Sequence, residues 1–188
     1  MNLWQTERIR LRALEPSDAV TFFEWNQDSE RARCLDFAWP PQSLASVEAW
    51  VSEQSLKRLE NDRYFWVIET LGGTTIGSID THDCDPRSGT FSYAIAIDPL
   101  QRRQGYAREA IKLVLRYYFE ELRYQKCTVS VHSFNAASAR LHERLGFTLE
   151  GTHRRMGYSE GRTFDVHWYG ITIEEFRTAL AEAKPTGA

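Results

Sequence analysis

The chain has 188 residues, 42% of them hydrophobic and 26% charged, with a formal net charge of −3, the profile of one ordinary soluble domain. The near-neutral balance gives no reason to expect nucleic acid or an anionic membrane as partner. No apolar run approaches the ~20 residues of a membrane span, and the opening MNLWQTERIRL lacks a signal-peptide core, so a cytoplasmic location is expected.

Residues 6–14 alternate polar and apolar and predict the first strand. Glu15-Pro16-Ser17-Asp18 starts a helix with proline at a permitted early position. Val20, Phe22, Phe23 and Trp25 supply its apolar side, although residues so close together cannot all face one way. A loop is expected over 28–42, then a second helix over 43–61 with Leu44, Val47, Val51, Leu56 and Leu59 as candidate core. Residues 64–69 and 75–82 read as strands joined by a Gly72-Gly73 hairpin turn. After a strand–loop–helix unit over 90–122, residues 127–134 read as a buried strand and Asn135 to Gly146 as a capped helix. A last hairpin (148–158 and 163–173), a short helix (174–182) and a frayed tail (184–188) complete the chain. Cys34, Cys84 and Cys127 are scattered and odd in number, as expected of reduced thiols. His82 and Cys84 are the only close His/Cys pair, so no metal site is expected.

The unit over 90–122 organises the rest. Phe91, Tyr93, Ile95 and Ile97 alternate with Ser92, Ala94 and Ala96, the period-two mark of a strand, and Asp98-Pro99 stops it. Then come Arg102-Arg103-Gln104-Gly105-Tyr106-Ala107 and an amphipathic helix with Ala107, Ala110, Ile111, Val114, Leu115, Tyr118 and Leu122 on one face. A strand, a short basic turn with one glycine and a long helix make an anion site, because the first-turn N–H groups lack intrahelical partners and the helix dipole adds positive charge. Charge-assisted hydrogen bonds of ~1.5–3 kcal/mol each could together hold a diphosphate at micromolar strength, about 8 kcal/mol. The turn has neither the Gly-Lys-Ser/Thr of a Walker loop nor the three glycines of a dinucleotide fingerprint.

This segment resembles the acetyl-CoA loop of the GNAT acetyltransferases, Gln/Arg-x-x-Gly-x-Gly/Ala, with Arg102, Gly105 and Ala107 in its fixed positions. Downstream, Asn135-Ala136-Ala137-Ser138-Ala139-Arg140-Leu141-His142, followed by Gly146-Phe147, is similar to the later signature of that family, Asn-x-x-Ser/Ala-x-x-Leu-Tyr-x-x-x-Gly-Phe. The resemblance covers residues 6–173 as an N-acetyltransferase domain and leaves 174–188 as a C-terminal helix and tail. It implies an α/β fold, a mixed, mostly antiparallel seven-stranded sheet splayed around the acetyl-CoA site, with helices on both faces. Thr6-Glu7-Arg8-Ile9-Arg10-Leu11-Arg12 and the Leu149-Glu150-Gly151-Thr152 region look like the branch of ribosomal-protein N-terminal acetyltransferases, and spermidine and drug-modifying acetyltransferases have similar architecture.

What the resemblance implies is direct acetyl transfer from CoA sulfur to a primary amine, by a monomer or homodimer. The expected cofactor-binding residues are Ala96, Ile97, Arg102, Arg103, Gln104, Gly105, Tyr106, Ala107, Arg108, Asn135 and Ser138, with the Ile97 N–H as donor to the thioester oxygen. Two candidates protonate the leaving thiolate: Ser138, credited with that role in the ribosomal-protein branch, and His142, standing where many members have tyrosine. The glutamate proposed as base in that branch aligns with Gly157 here, leaving Glu160, Asp165, Asp80 or His82 as replacements. For the acceptor, Asp28, Asp36, Trp39 and Tyr158 are candidates, since carboxylates and aromatic faces together suit an ammonium group. An inactive CoA-binding module and a scaffold built on the Trp-rich N-terminal half are the alternatives to an active enzyme.

Overall fold

Ile9 and Leu11 are buried while Arg10 between them is exposed, so the first strand forms as a half-buried edge of alternating side chains. In the computed structural model, which describes residues 2–58 and 60–182, the order is β1 (Ile9–Arg12), α1 (Ala19–Trp25), α2 (Ser29–Leu35), α3 (Leu44–Leu56), β2 (Phe65–Thr70), β3 (Thr75–Asp85), β4 (Thr90–Ile97), α4 (Tyr106–Arg116), β5 (Lys126–His132), α5 (Ala136–Arg144), β6 (Thr148–Ser159), β7 (Arg162–Thr172) and α6 (Ile173–Glu182). The strands form one seven-stranded sheet in the order β1-β2-β3-β4-β5-β7-β6. β4 and β5 run parallel, whereas β1–β2, β2–β3, β5–β7 and β6–β7 are antiparallel. This is the mixed, mostly antiparallel α/β fold expected from the sequence.

The chain falls into two compact units, one of Met1–His82 with Ala94–Leu113, the other of Asp83–Tyr93 with the residues from Val114 onward. In the first, Leu14, Ala19, Phe22, Trp25, Val47, Val51 and Val67 form one cluster, with Phe22 meeting Trp50 at 5.8 Å and Phe65 at 6.0 Å between ring centres. In the second, Phe91 stacks on Tyr118 at 4.0 Å and meets Tyr124 edge-on at 5.6 Å, while Phe119 contacts Phe176 of α6 at 5.5 Å. Among the described residues the ladder of β4 with β5 covers Thr90, Phe91 and Ser92, paired with Lys126, Cys127 and Thr128.

The structure differs from the sequence expectation in the N-terminal helices. The stretch expected as loop contains α2, because the Asp28 carboxylate caps it by accepting the Glu30 and Arg31 N–H groups, both at 3.0 Å. Helix α3 ends at Leu56, which is 84% exposed; only Val47 and Val51 of its five candidate core residues are buried, Leu44 is exposed, and Leu59 lies outside the described residues. The crowding in α1 resolves with Phe22 and Trp25 inside and Val20 outside. The tail over 184–188 lies outside the described residues.

A charge network that sequence patterning did not reveal ties β1 to β2 and to the turn before α1. Asp18 is only 4% exposed, and the Arg12 fork meets both of its oxygens, at 2.7 and 2.8 Å. The Arg12 Nε bonds Glu69 at 2.8 Å, and Arg10 pairs with the same carboxylate. Burial pushes the Asp18 and Glu69 carboxyls up, but the arginines beside them outweigh it and both end below the usual carboxylate range. Carboxylates depressed in the folded state stabilise it fully above their unfolded pKa of roughly 4 and lose that contribution as pH falls through the folded values. Asp18→Asn should therefore cost about 1.5–3 kcal/mol at pH 7. Urea unfolding at pH 7 and at acid pH should show a smaller acid loss in the variant than in the parent, and equal losses would remove Asp18 from the acid transition.

Candidate active site

The turn leading into α4 has an enforced backbone. Asp98 closes it at the start by accepting the Leu100 N–H at 2.9 Å, and Gln104 reaches back to Gln101 at 3.0 Å. Arg103 has φ +63° and Gly105 φ +87°, both in the left-handed region. From Glu109 onward the helix satisfies its own amides, the Glu109 N–H reaching the Gly105 carbonyl at 3.3 Å. The Tyr106, Ala107 and Arg108 N–H groups precede that first bond and point out of the helix start. Arg102, Arg103, Gln104 and Arg108 are exposed around them.

Three residues outside the motif hold this turn. The Arg8 Nη1 donates to the Gln104 carbonyl at 3.0 Å, its Nε donates to Glu109 at 2.7 Å, and its guanidinium lies 5.0 Å from the Tyr106 ring centre. The Thr6 hydroxyl donates to the other Glu109 oxygen at 2.6 Å. The sequence places Arg8 in the first strand, and its pairing with Glu109, far along the chain, leaves no local signal. An added Cβ at Gly105 would lie 3.2 Å from an Arg8 nitrogen, so the glycine meets both a backbone and a packing requirement.

The second motif folds as its cap residues dictate. The Asn135 side chain accepts the Ser138 N–H at 3.1 Å, and Gly146 leaves α5 at φ +93°. Ser138 is half-buried and His142 only 3% exposed. The His142 Nδ1 lies 2.8 Å from the Ser138 carbonyl oxygen, which can only accept, so this nitrogen carries the hydrogen. Its Nε2 then accepts from the Tyr93 hydroxyl at 2.9 Å. The Ser138 Oγ stands 3.4 Å from the same Nδ1. Burial pushes the His142 pKa down, only partly offset by the Ser138 carbonyl, and burial raises the Tyr93 phenol well above its ordinary value. Tyr93, His142 and Ser138 are thus one hydrogen-bonded series of neutral groups.

Residues 8–148 match the model of the acetyltransferase (GNAT) domain. The chain belongs to the GNAT acetyltransferase family. As an N-acetyltransferase it is 40% identical, over 92% of its length and 94% of the relative's, to YokL, an uncharacterized SPbeta prophage-derived N-acetyltransferase of Bacillus subtilis. It is 26% identical to a putative ribosomal N-acetyltransferase of the same organism, YdaF, over 90% of this chain and 94% of that one. A crystal structure of spermidine N-acetyltransferase from Vibrio cholerae, in complex with CoA and spermine, superposes with a TM-score of 0.80 at 22% identity, covering 92% of this chain and 99% of that one; the likeness is one of fold.

In this GNAT chain the first unit carries Ala96, Ile97, the turn over 102–108, Asp28, Asp36 and Trp39, and the second carries Asn135, Ser138, His142 and Tyr158. Asp28 is the α2 cap, while Asp36 and Trp39 line a cavity of about 410 Å³. Trp39 is 60% exposed and packs at a tilt against Phe37, 4.0 Å between ring centres, whereas Trp25 is part of the core. Tyr158 is exposed on β6. Gly157 stands opposite Phe164 in the β6–β7 ladder, and an added Cβ would come within 2.2 Å of that ring. The ring is itself held against His132 at 4.7 Å and Phe134 at 4.9 Å. Aromatic packing thus closes Gly157 to any side chain. Asp165 accepts the Arg155 N–H at 2.7 Å, and Asp80 lies 3.6 Å from His82.

The buried series predicts a coupling. His142→Phe keeps ring volume but leaves the Tyr93 hydroxyl buried without its acceptor, which should cost about 1–3 kcal/mol. Adding Tyr93→Phe should recover much of that loss in a double-mutant cycle read by urea unfolding; additive losses would show that the two rings do not share the bond.

Proposed function

We propose that this protein transfers acetyl from acetyl-CoA directly to a primary amine, a peptide α-amine or a small-molecule amine, in the cytoplasm. The observation that carries the reading is the turn over 102–108, whose left-handed Arg103 and Gly105 precede the outward N–H groups of α4. The diphosphate of CoA lies against these amides, where α4's dipole and the surrounding arginines favour negative charge. Asn135 and Ser138 serve the pantetheine and sulfur end. The acceptor enters past Asp36 and Trp39.

The amine attacks in its neutral form, the C–N bond forms as the C–S bond breaks, and the thiolate leaves with a proton. The Asp98 N–H bonds the Ile76 carbonyl of β3 at 2.9 Å, so strand alternation turns the Ile97 N–H to the other edge of β4. There it stabilises the charge that gathers on the thioester oxygen. Ser138 hands its hydroxyl proton to sulfur and regains, through solvent, the proton that the acylated nitrogen releases, and His142, neutral and fixed between Tyr93 and the Ser138 carbonyl, positions the first turn of α5. Alignment of the two reactants supplies much of the acceleration, up to ~7–11 kcal/mol.

A module that binds acetyl-CoA without turning it over is the reading that Gly157 favours, and thiol release across a mixed-amine panel separates the two. Ser138→Ala should lower kcat about 10- to 100-fold while leaving acetyl-CoA affinity by calorimetry within about twofold; unchanged turnover would assign the serine to packing. Gly105→Ala strains the left-handed turn by ~1–2 kcal/mol and should weaken acetyl-CoA binding by about tenfold. A folded Gly105→Ala protein with parental affinity would place the diphosphate elsewhere.

A further inference from the structure

Every strongly buried carboxylate named above has an arginine partner, but one buried arginine has no carboxylate. Arg31, in α2, is only 7% exposed, and its guanidinium lies 4.7 Å from the Trp25 ring centre. Among the described residues no acidic group stands within ion-pair distance of it, and its Nε is buried with no hydrogen-bond partner. Asp28, about one helical turn before it, spends one of its oxygens on capping the helix. Burial, and after it the charge of Arg102, lower the Arg31 pKa, and the charges of Asp28 and Asp98, neither within ion-pair distance, only partly offset them. An uncompensated buried charge costs several kcal/mol and is uncommon unless something else pairs with it.

Arg31 lines the cavity with Trp25, Leu35, Trp39, Val47 and Trp50. Its volume of about 410 Å³ falls within the ~300–1,000 Å³ of small-molecule sites, and its walls are mainly apolar and aromatic. A guanidinium in such walls recognises a planar anion through its fork of donors, and the apolar surface takes a hydrocarbon body. The acceptor of an N-acetyltransferase must also bring a primary amine. A primary amine, a carboxylate and an apolar body are combined in one small molecule by an α-amino acid.

Resting on the acetyl-transfer reading above, we infer that the acceptor is a free apolar or aromatic α-amino acid, or a close analogue, whose carboxylate is bound by Arg31 in this cavity. A peptide N-terminus carries an amide where this carboxylate would be, and a polyamine carries no anion, so both are disfavoured by the same guanidinium.

The test uses the full chain with acetyl-CoA. Thiol release is measured with the twenty L-amino acids, spermidine and a tripeptide, and the best amino acid is then compared with its own amide and its decarboxylated amine. Binding of the same compounds to the CoA-bound protein is followed by tryptophan fluorescence, since Trp25, Trp39 and Trp50 line the cavity. The acid should exceed its amide and amine at least tenfold in kcat/KM. Arg31→Gln should abolish that preference through KM, with acetyl-CoA affinity retained and melting checked, and Arg31→Lys should restore part of it. An amide as good as the acid, spermidine or the tripeptide as preferred acceptor, or no fluorescence response to any amino acid overturns the inference while leaving acetyl transfer intact. Arg31→Gln weakening acetyl-CoA instead of the amine also overturns it, by assigning the arginine to the cosubstrate. Absence of acetyl-CoA binding to the parent protein is the separate failure of the acetyl-transfer reading.

Discussion

The turn between β4 and α4 keeps a shape that an unsupported chain would not hold. Arg103 has φ +63°, and a non-glycine residue in the left-handed region costs ~1–2 kcal/mol. Arg8 offsets that cost from outside, bonding the Gln104 carbonyl and Glu109 while stacking over Tyr106. One arginine thus fixes the carbonyl before Gly105, the first aromatic ring of α4 and an acid one turn into it. Because the outward amides are aimed by this bracing, the geometry of the proposed diphosphate site depends on a residue just ahead of β1. The motif supplies the donors, and the N-terminal segment supplies the angle.

Charge is handled differently in the two units. In the first, Asp18 and Glu69 are held by Arg10 and Arg12, so burial is compensated by opposite charge. In the second, His142 is held without any charge, its neutral tautomer set by the Ser138 carbonyl and the Tyr93 hydroxyl. A tyrosine at this position would carry donor and acceptor on a single oxygen; the imidazole separates them, donating at one nitrogen and accepting at the other. That separation gives Tyr93 a buried acceptor and locks α5 to β4 within the unit. Fixing the first turn of α5 also fixes Ser138, which shares the His142 Nδ1 environment at 3.4 Å.

How much was legible follows from whether a residue's role is local. The strands, the turn before α4 and the Asn135 and Gly146 caps rest on neighbours within a few residues, and the structure has them where period and cap chemistry put them. Helix α2 was missed because Phe37, Trp39 and two prolines dominated its neighbourhood, although Asp28 is as good an N-cap signal as Asn135. The end of α3 was overrun because Leu56 continued an apolar pattern that has nothing to pack against. Arg8–Glu109, Arg12–Asp18 and Tyr93–His142 join residues that the fold, not the sequence, brings together. Burial decided the rest: His142, a candidate proton donor by sequence, is buried and engaged at both ring nitrogens.

The missing glutamate takes on a different meaning beside Arg31. Gly157 is closed to a side chain by Phe164, so a base at that position would require the His132–Phe134–Phe164 cluster to move. An amine can instead be made reactive by lowering its own pKa, since a nearby positive charge disfavours the ammonium form. In an α-amino acid the adjacent carboxylate normally stabilises the ammonium, and a guanidinium that takes the carboxylate cancels that support. Arg31, with Arg102 adding to its field against the opposing charges of Asp28 and Asp98, would do both at once. Each unit of pKa removed raises the neutral fraction about tenfold while the amine is mostly protonated. Recognition of the carboxylate and activation of the amine would then be one electrostatic event, and a chain so equipped has less need of a carboxylate base on β6.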